Sequence, residues 1–245
     1  MEPELVPLGD HGRRYEGSRR VRLGEVTASG RIRVDALARA LQDVATDDAA
    51  DAGLADGWVL RRLAMRIDRF PRFREPVTLV TWCSGVTASA AERRTTVSLA
   101  EGPAVESVGL WVFVGRDGRP ARIDRDSFAV YGVTAGDRRI STRLRHADPP
   151  DGTSRPWPLR ATDIDVLGHV NNAVSLAALE DVVREVVLDD SALPWWVEVE
   201  YRAAIDPGDD PLLVWARVPD GTVVGGLLCE GAPRTTFRVH CVSRG

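Results

Sequence analysis

The sequence predicts an α+β fold built from two similar units, each a long helix wrapped by an antiparallel sheet. Amphipathic helix patterns occur near residues 35–52 and 172–187, and several short strand patterns follow each of them. The length agrees, because 245 residues are enough for two domains of about 120 residues each. We therefore expect a first domain at residues 1–131, a linker at 132–157 and a second domain at 158–245.

The first unit begins with a lead-in of 20 residues that is rich in Gly, Pro and charge, followed by a strand pattern at 20–26 and a turn at 27–30. Apolar residues then recur at the three- and four-residue steps of a helix, at Leu37, Leu41, Val44 and Ala45. Asp35 is placed to cap this helix and Gly53 follows its end. Strand patterns come next at residues 58–68, 77–84, 91–100 and 105–115.

The second unit repeats this order of elements. The segment 132–157 is rich in Gly, Asp, Arg, Ser and Pro, which is typical of a linker. A strand pattern near 157–161 leads to a polar loop, a helix pattern at 172–187 and strand patterns at 197–203, 212–218, 223–230 and 235–242. The repeat predicts two units whose sheets pair side by side.

Composition narrows the class of protein. Hydrophobic residues make up 44% of the chain, and no apolar stretch approaches the roughly 18 residues that a membrane helix needs. The net charge of −4 gives no reason to expect a nucleic-acid partner, and every basic residue is Arg. The acidic N-terminus lacks the basic and apolar regions of a signal peptide, so we expect a cytoplasmic protein.

Cysteine and histidine spacing shows no metal motif. Cys83, Cys229 and Cys241 are far apart and the four histidines are scattered, so we expect reduced thiols and no metal site. A catalytic cysteine stays open as an alternative, although no local motif supports one.

The segment from Asp163 to Asn172 carries the most informative chemical pattern. It lies between a predicted strand and a predicted helix, and it contains Asp165, His169 and Asn171. Thioester hydrolysis needs a carboxylate that attacks the carbonyl or activates water, together with donors for the developing oxyanion. Unpaired N–H groups at a helix N-terminus are such donors. The alternative is a capping loop, because Asp and Asn are common N-caps and His169 could be a buried, hydrogen-bonded ring.

The stretch Asp165-x-x-Gly-His-Val-Asn-Asn resembles the motif at the start of the central helix in hotdog thioesterases. The N-terminal half is similar, more specifically, to acyl-ACP thioesterases of the plant and bacterial type. The matching pieces, in the family's order, are Val21-Arg-Leu-Gly-Glu-Val with Gly30, Leu41-Gln-Asp-Val-Ala45, Trp58-Val-Leu60, Arg69-Phe-Pro71, Thr81-Trp82, Trp111-Val-Phe-Val and Asp117-Gly-Arg-Pro-Ala-Arg122. With the C-terminal motif the resemblance covers residues 20 to 240.

The resemblance implies a tandem hotdog fold and the hydrolysis of fatty acyl-ACP in fatty acid biosynthesis, without metal or organic cofactor. Asp165 takes the place of the family's catalytic Asp and His169 that of its His, while Asn171 is expected to fix the loop. The N–H groups of residues 168–171 are candidate oxyanion donors. Further candidate substrate-binding residues on the loop are Gly168, Val170 and Asn172.

The N-terminal helix is expected to line a tunnel for the acyl chain. Its candidate wall residues face inward in their patterns: Leu41, Val44, Trp58 and Met65. The basic run from Arg61 to Arg74 is either a surface that steers an acidic carrier protein or the phosphates of coenzyme A, or a solvated strand edge. Acyl-ACP and acyl-CoA are therefore the expected partners, and a homodimer is one alternative for the oligomeric state.

Three positions depart from the family pattern. Leu167 stands where plant-type members have an Asn, and Ala204 and Ile205 stand where members often have a Glu, followed in some by a Cys. One interpretation is a simpler thioesterase that works from Asp165 and backbone donors, and the other is a protein that binds acyl groups without hydrolysing them. A second carboxylate could come from Glu180 or Asp181, although we interpret these as part of a solvated helix face.

Overall fold

The computed structural model describes residues 5–9, 11–54, 56–136, 138–186 and 192–241. The first half contains strand β1 (Tyr15–Arg20), helix α1 (Val34–Asp51), strands β2 (Trp58–Ile67), β3 (Pro76–Val86), β4 (Ala90–Leu99) and β5 (Gly102–Phe113), and helix α2 (Arg125–Ala135). The second half contains β6 (Thr153–Pro156), α3 (Asn172–Glu185), β7 (Trp195–Tyr201), β8 (Leu212–Arg217), β9 (Val223–Cys229) and β10 (Ala232–Cys241).

The strands of the described residues form a single ten-stranded sheet in the order β1-β3-β4-β5-β2-β7-β10-β9-β8-β6, and every neighbouring pair is antiparallel. The two halves have the same strand order. If the five strands of a half are numbered along the chain, their order from the edge of the sheet to its centre is 1-3-4-5-2 in both halves. The halves meet at β2 and β7, where Arg62 lies opposite Glu200 and Arg66 opposite Trp196. The sheet therefore has an approximate twofold axis between β2 and β7, and the tandem hotdog fold is confirmed.

Both long helices lie on the same face of the sheet. Alternate residues of β7, namely Val197, Val199 and Tyr201, enter one apolar core with residues of α1 and α3. The two helices also pack on each other. Because α1 and α3 start from loops at corresponding places in the two halves, their N-termini and the polar side chains around them come close to the centre of the molecule. In the described part of the chain, no helix is long and apolar enough to cross a membrane.

The helix predictions are confirmed, since α1 and α3 begin and end within two residues of the expected positions. The first strand was predicted too late. β1 ends at Arg20, and Leu23–Glu25 form a 3-10 turn in which the Glu25 carboxylate accepts the N–H of Arg22 at 2.7 Å. This local side-chain bond competes with strand pairing, so the chain turns where the sequence pattern predicts a strand.

The segment between the halves holds two elements that the sequence pattern did not predict there. Helix α2 packs through Phe128 and Tyr131 on β3. β6 lies at Thr153–Pro156 instead of 157–161, and Pro158, just beyond its end, has no N–H group for pairing. Between them, residues 138–152 cross the sheet on the face opposite the long helices, where Arg138 binds Glu92 and the N–H groups of Arg145 and His146 bind Glu200. The exact division into domains and linker stays a prediction.

Candidate active site

The loop before α3 is held in a compact shape by its own backbone. The N–H of Asp165 donates to the carbonyl of His169 at 2.9 Å, and the N–H of Gly168 donates to the carbonyl of Asp165 at 3.0 Å. This turn requires a positive φ of 79° at Gly168, which a residue without Cβ adopts at little cost. The N–H of Val170 donates to Ile205 at 3.0 Å and so ties the loop to the chain beyond β7.

Asn171 caps the helix. Its side-chain oxygen accepts the N–H of Ala173 at 2.9 Å, and its own N–H donates to the carbonyl of Asp163 at 2.8 Å. The cap of α3 is thus Asn171, and Asp165 lies six residues before it with no capping bond to the helix. A capping role therefore does not explain the carboxylate at position 165.

The carboxylate of Asp165 has one oxygen engaged and one available. Oδ1 accepts the N–H of Leu167 at 2.9 Å, which fixes the side chain relative to the turn. Among the described residues, Oδ2 has no hydrogen-bond partner, and the residue is only partly buried. A fixed carboxylate with a free oxygen beside a helix N-terminus is suited to accept a proton from water or to attack a carbonyl carbon.

The structure brings Asp206, which sequence reasoning missed, close to His169. The Nε2 atom of His169 lies 4.0 Å from a carboxylate oxygen of Asp206, and the two side chains are 55% and 66% exposed. His169 is therefore not a buried, hydrogen-bonded ring. Asp206 comes directly after Ile205, whose carbonyl anchors the loop, so its position follows from tertiary contact and no local sequence pattern indicates it.

The three departures from the family pattern occupy different environments. The Leu167 side chain is 74% exposed at the tip of the loop, beside a fully exposed Val166. Ala204 is exposed, whereas Ile205 is buried and packs in the main core. The position that holds Ile205 is thus structural in this chain, and Asp206 supplies a carboxylate next to it.

The candidate wall residues of the acyl tunnel belong to α1 and β2. Leu41 lines a cavity of about 20 Å³ between α1 and the sheet. Val44 and Met65 are buried in the main core, while Trp58 packs on Phe113 and on Phe128 of α2. The cavity at Leu41 is far smaller than the roughly 300 Å³ of an ordinary ligand pocket, so an acyl chain needs side chains of α1 and the sheet to move apart. The tunnel stays a prediction.

A larger cavity of about 380 Å³ lies where α1, α3 and the start of the loop meet. It is lined by the guanidinium groups of Arg33, Arg39, Arg160 and Arg184, and by acidic groups that include Asp163 and Asp181. In the predicted basic run between Arg61 and Arg74, two guanidinium groups already have carboxylate partners: Arg66 binds Asp68, and Arg69 binds Glu75 and Glu101.

The N-terminal half contains a loop of the same geometry. The N–H of Thr27 donates to the carbonyl of Arg31 at 2.8 Å, the N–H of Gly30 donates to Thr27 at 2.9 Å, and φ of Gly30 is 83°. These bonds match those of Asp165, Gly168 and His169 one for one. Thr27 therefore takes the place of Asp165, and Arg31 that of His169.

Beside this second loop lies a buried ion pair between the two halves. The guanidinium of Arg31 binds both carboxylate oxygens of Glu180 at 2.8 and 3.2 Å, with side chains only 3% and 4% exposed, and it lies over the ring of Phe70. Glu180 also accepts the N–H of Val34 at 3.0 Å. The interpretation of Glu180 as a solvated residue was wrong, and Asp35 does not cap α1, because Glu180 binds that helix terminus while Asp35 binds Arg33.

The described thiols do not suggest a cysteine nucleophile. Burial raises the pKa of the Cys83 thiol to about 11, so this side chain is protonated at neutral pH. Burial also raises the pKa of Cys229.

One group of side chains has the composition of a metal site. His146, Glu198 and Glu200 can bring one ligand atom each within 4.8 Å of one another. They lie on the face of the sheet opposite the loop of Asp165, and both oxygens of Glu200 already accept backbone N–H groups of Arg145 and His146. The group fastens the segment 138–152 to the sheet, at a distance from the candidate active site.

The sequence matches the N-terminal domain of acyl-ACP thioesterases over residues 12–131 and the C-terminal domain of the same family over residues 147–216. The chain belongs to the acyl-ACP thioesterase family. Family membership supports thioester hydrolysis as its reaction.

Acyl-ACP thioesterases of known structure share this fold along almost the whole chain. The 12:0-ACP thioesterase of Umbellularia californica is 19% identical with a TM-score of 0.78 and coverage of 95% of this chain and 98% of its own. An acyl-ACP thioesterase of Bacteroides thetaiotaomicron is 19% identical with a TM-score of 0.75 and coverage of 92% and 96%. Uncharacterized proteins of two Mycobacterium tuberculosis strains are 28% identical over 224 residues, covering 89% of this chain and 88% of theirs.

Proposed function

We propose that this protein hydrolyses fatty acyl-ACP in fatty acid biosynthesis, releasing a free fatty acid and the carrier protein with its thiol restored. The observation that carries the proposal is the Asp165 carboxylate, with one oxygen fixed by Leu167 and the other without a partner among the described residues. It lies in the loop before α3, where the N–H of His169 has no acceptor among the described residues and the helix N-terminus adds its partial positive charge. A base and a set of donors are the two requirements of thioester hydrolysis.

In this mechanism Asp165 accepts a proton from a water molecule while the water oxygen attacks the thioester carbonyl. The N–H groups of Gly168, Val170 and Asn171 are already donated within the fold, which corrects the expectation that all four N–H groups of residues 168–171 are oxyanion donors. The carbonyl oxygen becomes an oxyanion, which the N–H of His169 and the positive end of α3 stabilise. The intermediate then collapses, the C–S bond breaks, and the departing sulfur takes the proton from Asp165. The products are the fatty acid and the free thiol of the carrier, so atoms and charges balance. His169 orients the thioester at the mouth of the loop.

Acyl-CoA is the alternative substrate. The cavity with Arg33, Arg39, Arg160 and Arg184 adjoins the start of the loop, and its guanidinium groups suit the phosphate that pantetheine carries in both substrates. Turnover of acyl-ACP and acyl-CoA with equal chain lengths separates the two, and a preference for acyl-CoA would reassign the substrate.

A non-catalytic acyl-binding protein is the second candidate, favoured by Leu167, Ala204 and Ile205 in place of the family's polar residues. Asp206 beside His169 weighs against it, because it restores a carboxylate to the site.

The decisive experiment is Asp165→Asn. Asn keeps the acceptor for the N–H of Leu167 but loses the charge and basicity, so we expect a stability change within about 1 kcal/mol. Hydrolysis of a long-chain acyl-ACP should fall at least about a hundredfold, the loss typical of a missing general base.

The matched control is Thr27→Asn, which introduces the same amide at the corresponding position of the N-terminal loop and should leave turnover near the wild-type value. Near-full activity of Asp165→Asn would remove Asp165 from the mechanism. A wild-type protein that binds acyl thioesters without turning them over would support the acyl-binding alternative.

A further inference from the structure

The twofold relation of the halves extends from the loops into the helices. α1 contains Ala-Leu-Gln-Asp-Val at 40–44 and α3 contains Ala-Leu-Glu-Asp-Val at 178–182, with the same spacing along the chain as Gly30 and Gly168. The backbone bonds of the two loops pair residues with that same spacing. Gln42 on α1 is thus the counterpart of Glu180 on α3.

Glu180 shows what this helix position contacts. From α3 it reaches across to the other half, where its carboxylate accepts the N–H of Val34 at the start of α1 and both N–H groups of Arg31. The counterpart of Val34 is Asn172, the first residue of α3. Because α1 and α3 pack on each other, the same approximate twofold axis places Gln42 of α1 across from the start of α3.

The surroundings of Gln42 agree with such a position. Gln42 is partly buried and lines the cavity between α1 and the sheet together with Leu41, Leu60 and Leu63. By the twofold relation, an amide at this point lies between the apolar side chains of this cavity and the loop that holds Asp165. The other polar side chains of the cavity are already bound, Thr95 and Ser107 within the sheet and Arg93 to Asp48.

We propose that Gln42 is a catalytic residue contributed to the active site by the N-terminal half, an inference that rests on the thioesterase function proposed above. In this structure the Gln42 side chain has no hydrogen bond to another described residue; when a thioester is bound, its Oε1 atom accepts the N–H of Asn172, as Glu180 accepts the N–H of Val34. This bond turns Nε2 towards the thioester, where it donates a hydrogen bond to the carbonyl oxygen. The amide thereby adds a side-chain donor to the N–H of His169, because the N–H groups of Gly168, Val170 and Asn171 are already donated.

The difference between Gln42 and Glu180 follows from charge. A glutamate at position 42 would lie near Asp165 with His169 in place of Arg31, and His169 is 55% exposed. At the other loop a carboxylate is tolerated because the buried guanidinium of Arg31 neutralises it. An uncharged amide gives the open site a donor without a second negative charge beside the base.

The test uses the full-length protein and one long-chain acyl-ACP. Gln42→Glu keeps the acceptor and the length of the side chain but removes the donor, and Gln42→Ala removes both. We expect kcat to fall at least about tenfold in each variant, with KM within about threefold, because an oxyanion donor acts in the transition state. The control Asp47→Ala, at an exposed position of the same helix, should keep the wild-type kcat.

Amide hydrogen exchange tests the contact independently of turnover. With a non-hydrolysable ketone analogue of that acyl-ACP bound, the N–H of Asn172 should exchange at least about tenfold faster in Gln42→Ala than in the wild type, and Gln42→Glu should keep it protected, since a carboxylate still accepts the bond. Unchanged kcat and unchanged exchange in Gln42→Ala would overturn the inference even if the wild type is active. Absent turnover in the wild type with a clear exchange effect would instead overturn the proposed function and the donor role, leaving only the contact.

Discussion

Asp165 and Thr27 occupy the same place in two loops with the same backbone bonds, so side-chain chemistry alone distinguishes them. Thr27 binds the hydroxyl of Ser29, whereas Asp165 keeps a carboxylate oxygen without a partner among the described residues. The position four residues later differs in the same way: Arg31 is buried and paired, whereas the corresponding His169 is exposed. One loop therefore has the groups for chemistry and the other has the groups for structure.

A contiguous stretch can be recognised from sequence, and Asp165, His169 and Asn171 were predicted in this way. Asp206 could not be predicted so, because it lies beside His169 only when the chain beyond β7 has packed against the loop. The role that we propose for Gln42 depends in the same way on the packing of α1 against α3. Glu180 was misread for the same reason. Its position on an amphipathic helix indicates solvent, and only the partner Arg31 from the other half makes burial of the carboxylate favourable.

Asp206 is expected to help His169 modestly. Asp206→Asn removes the charge 4.0 Å from His169, and exposed pairs of this kind contribute at most about 1 kcal/mol. We therefore expect kcat for acyl-ACP to fall no more than about fivefold, while the exposed Asp210→Asn leaves it unchanged. A loss of a hundredfold or more would contradict this and assign Asp206 a direct part in the reaction.

At the scale of elements, the helices could be predicted because their apolar period was uninterrupted, and the ends of α1 and α3 agree within two residues. The short strands at the edges of the sheet could not be predicted from the sequence. β1 and β6 each pair with one neighbour only, so few apolar residues mark them, and prolines and local side-chain bonds decide where they end.

The matched loops allow a controlled test of backbone geometry. Gly168 and Gly30 have φ values of 79° and 83°, and a Cβ at either position meets no atom within 4 Å. Gly168→Ala and Gly30→Ala should each cost roughly 1–2 kcal/mol of unfolding free energy, from the backbone conformation alone.

Turnover should separate these two variants. Gly168→Ala shifts the loop that holds Asp165 and should lower kcat about tenfold or more, since misplacement by an ångström is costly in catalysis. Gly30→Ala should keep most of the activity. Equal losses in kcat would mean that the N-terminal loop also takes part in the reaction, or that both variants act through general destabilisation, which urea unfolding distinguishes.

At the scale of the whole molecule, the halves are joined along β2 and β7 and by the buried pair of Arg31 and Glu180. The pair also binds the N–H of Val34, so it fixes the start of α1 relative to α3. Since we place Gln42 of α1 next to the start of α3 and the loop of Asp165, the relative position of the two helices sets the geometry of the site.

Glu180→Gln tests this junction. Gln has nearly the same size and still accepts the N–H of Val34, but it leaves the guanidinium of Arg31 buried without a counter-charge. Removal of one partner from a buried pair costs about 3–5 kcal/mol, so the midpoint of urea unfolding should fall clearly. Asp181→Asn, the adjacent and exposed position, should stay within about 0.5 kcal/mol of the wild type.

The double variant Arg31→Met with Glu180→Met identifies the cause of that loss. Replacing both charges by apolar side chains of similar volume removes the unpaired charge, so most of the stability lost in Glu180→Gln should return. If Glu180→Gln unfolds within about 1 kcal/mol of the wild type, the pair does not hold the halves together. If the double variant is as unstable as the single one, the carboxylate contributes through the N–H of Val34 more than through Arg31.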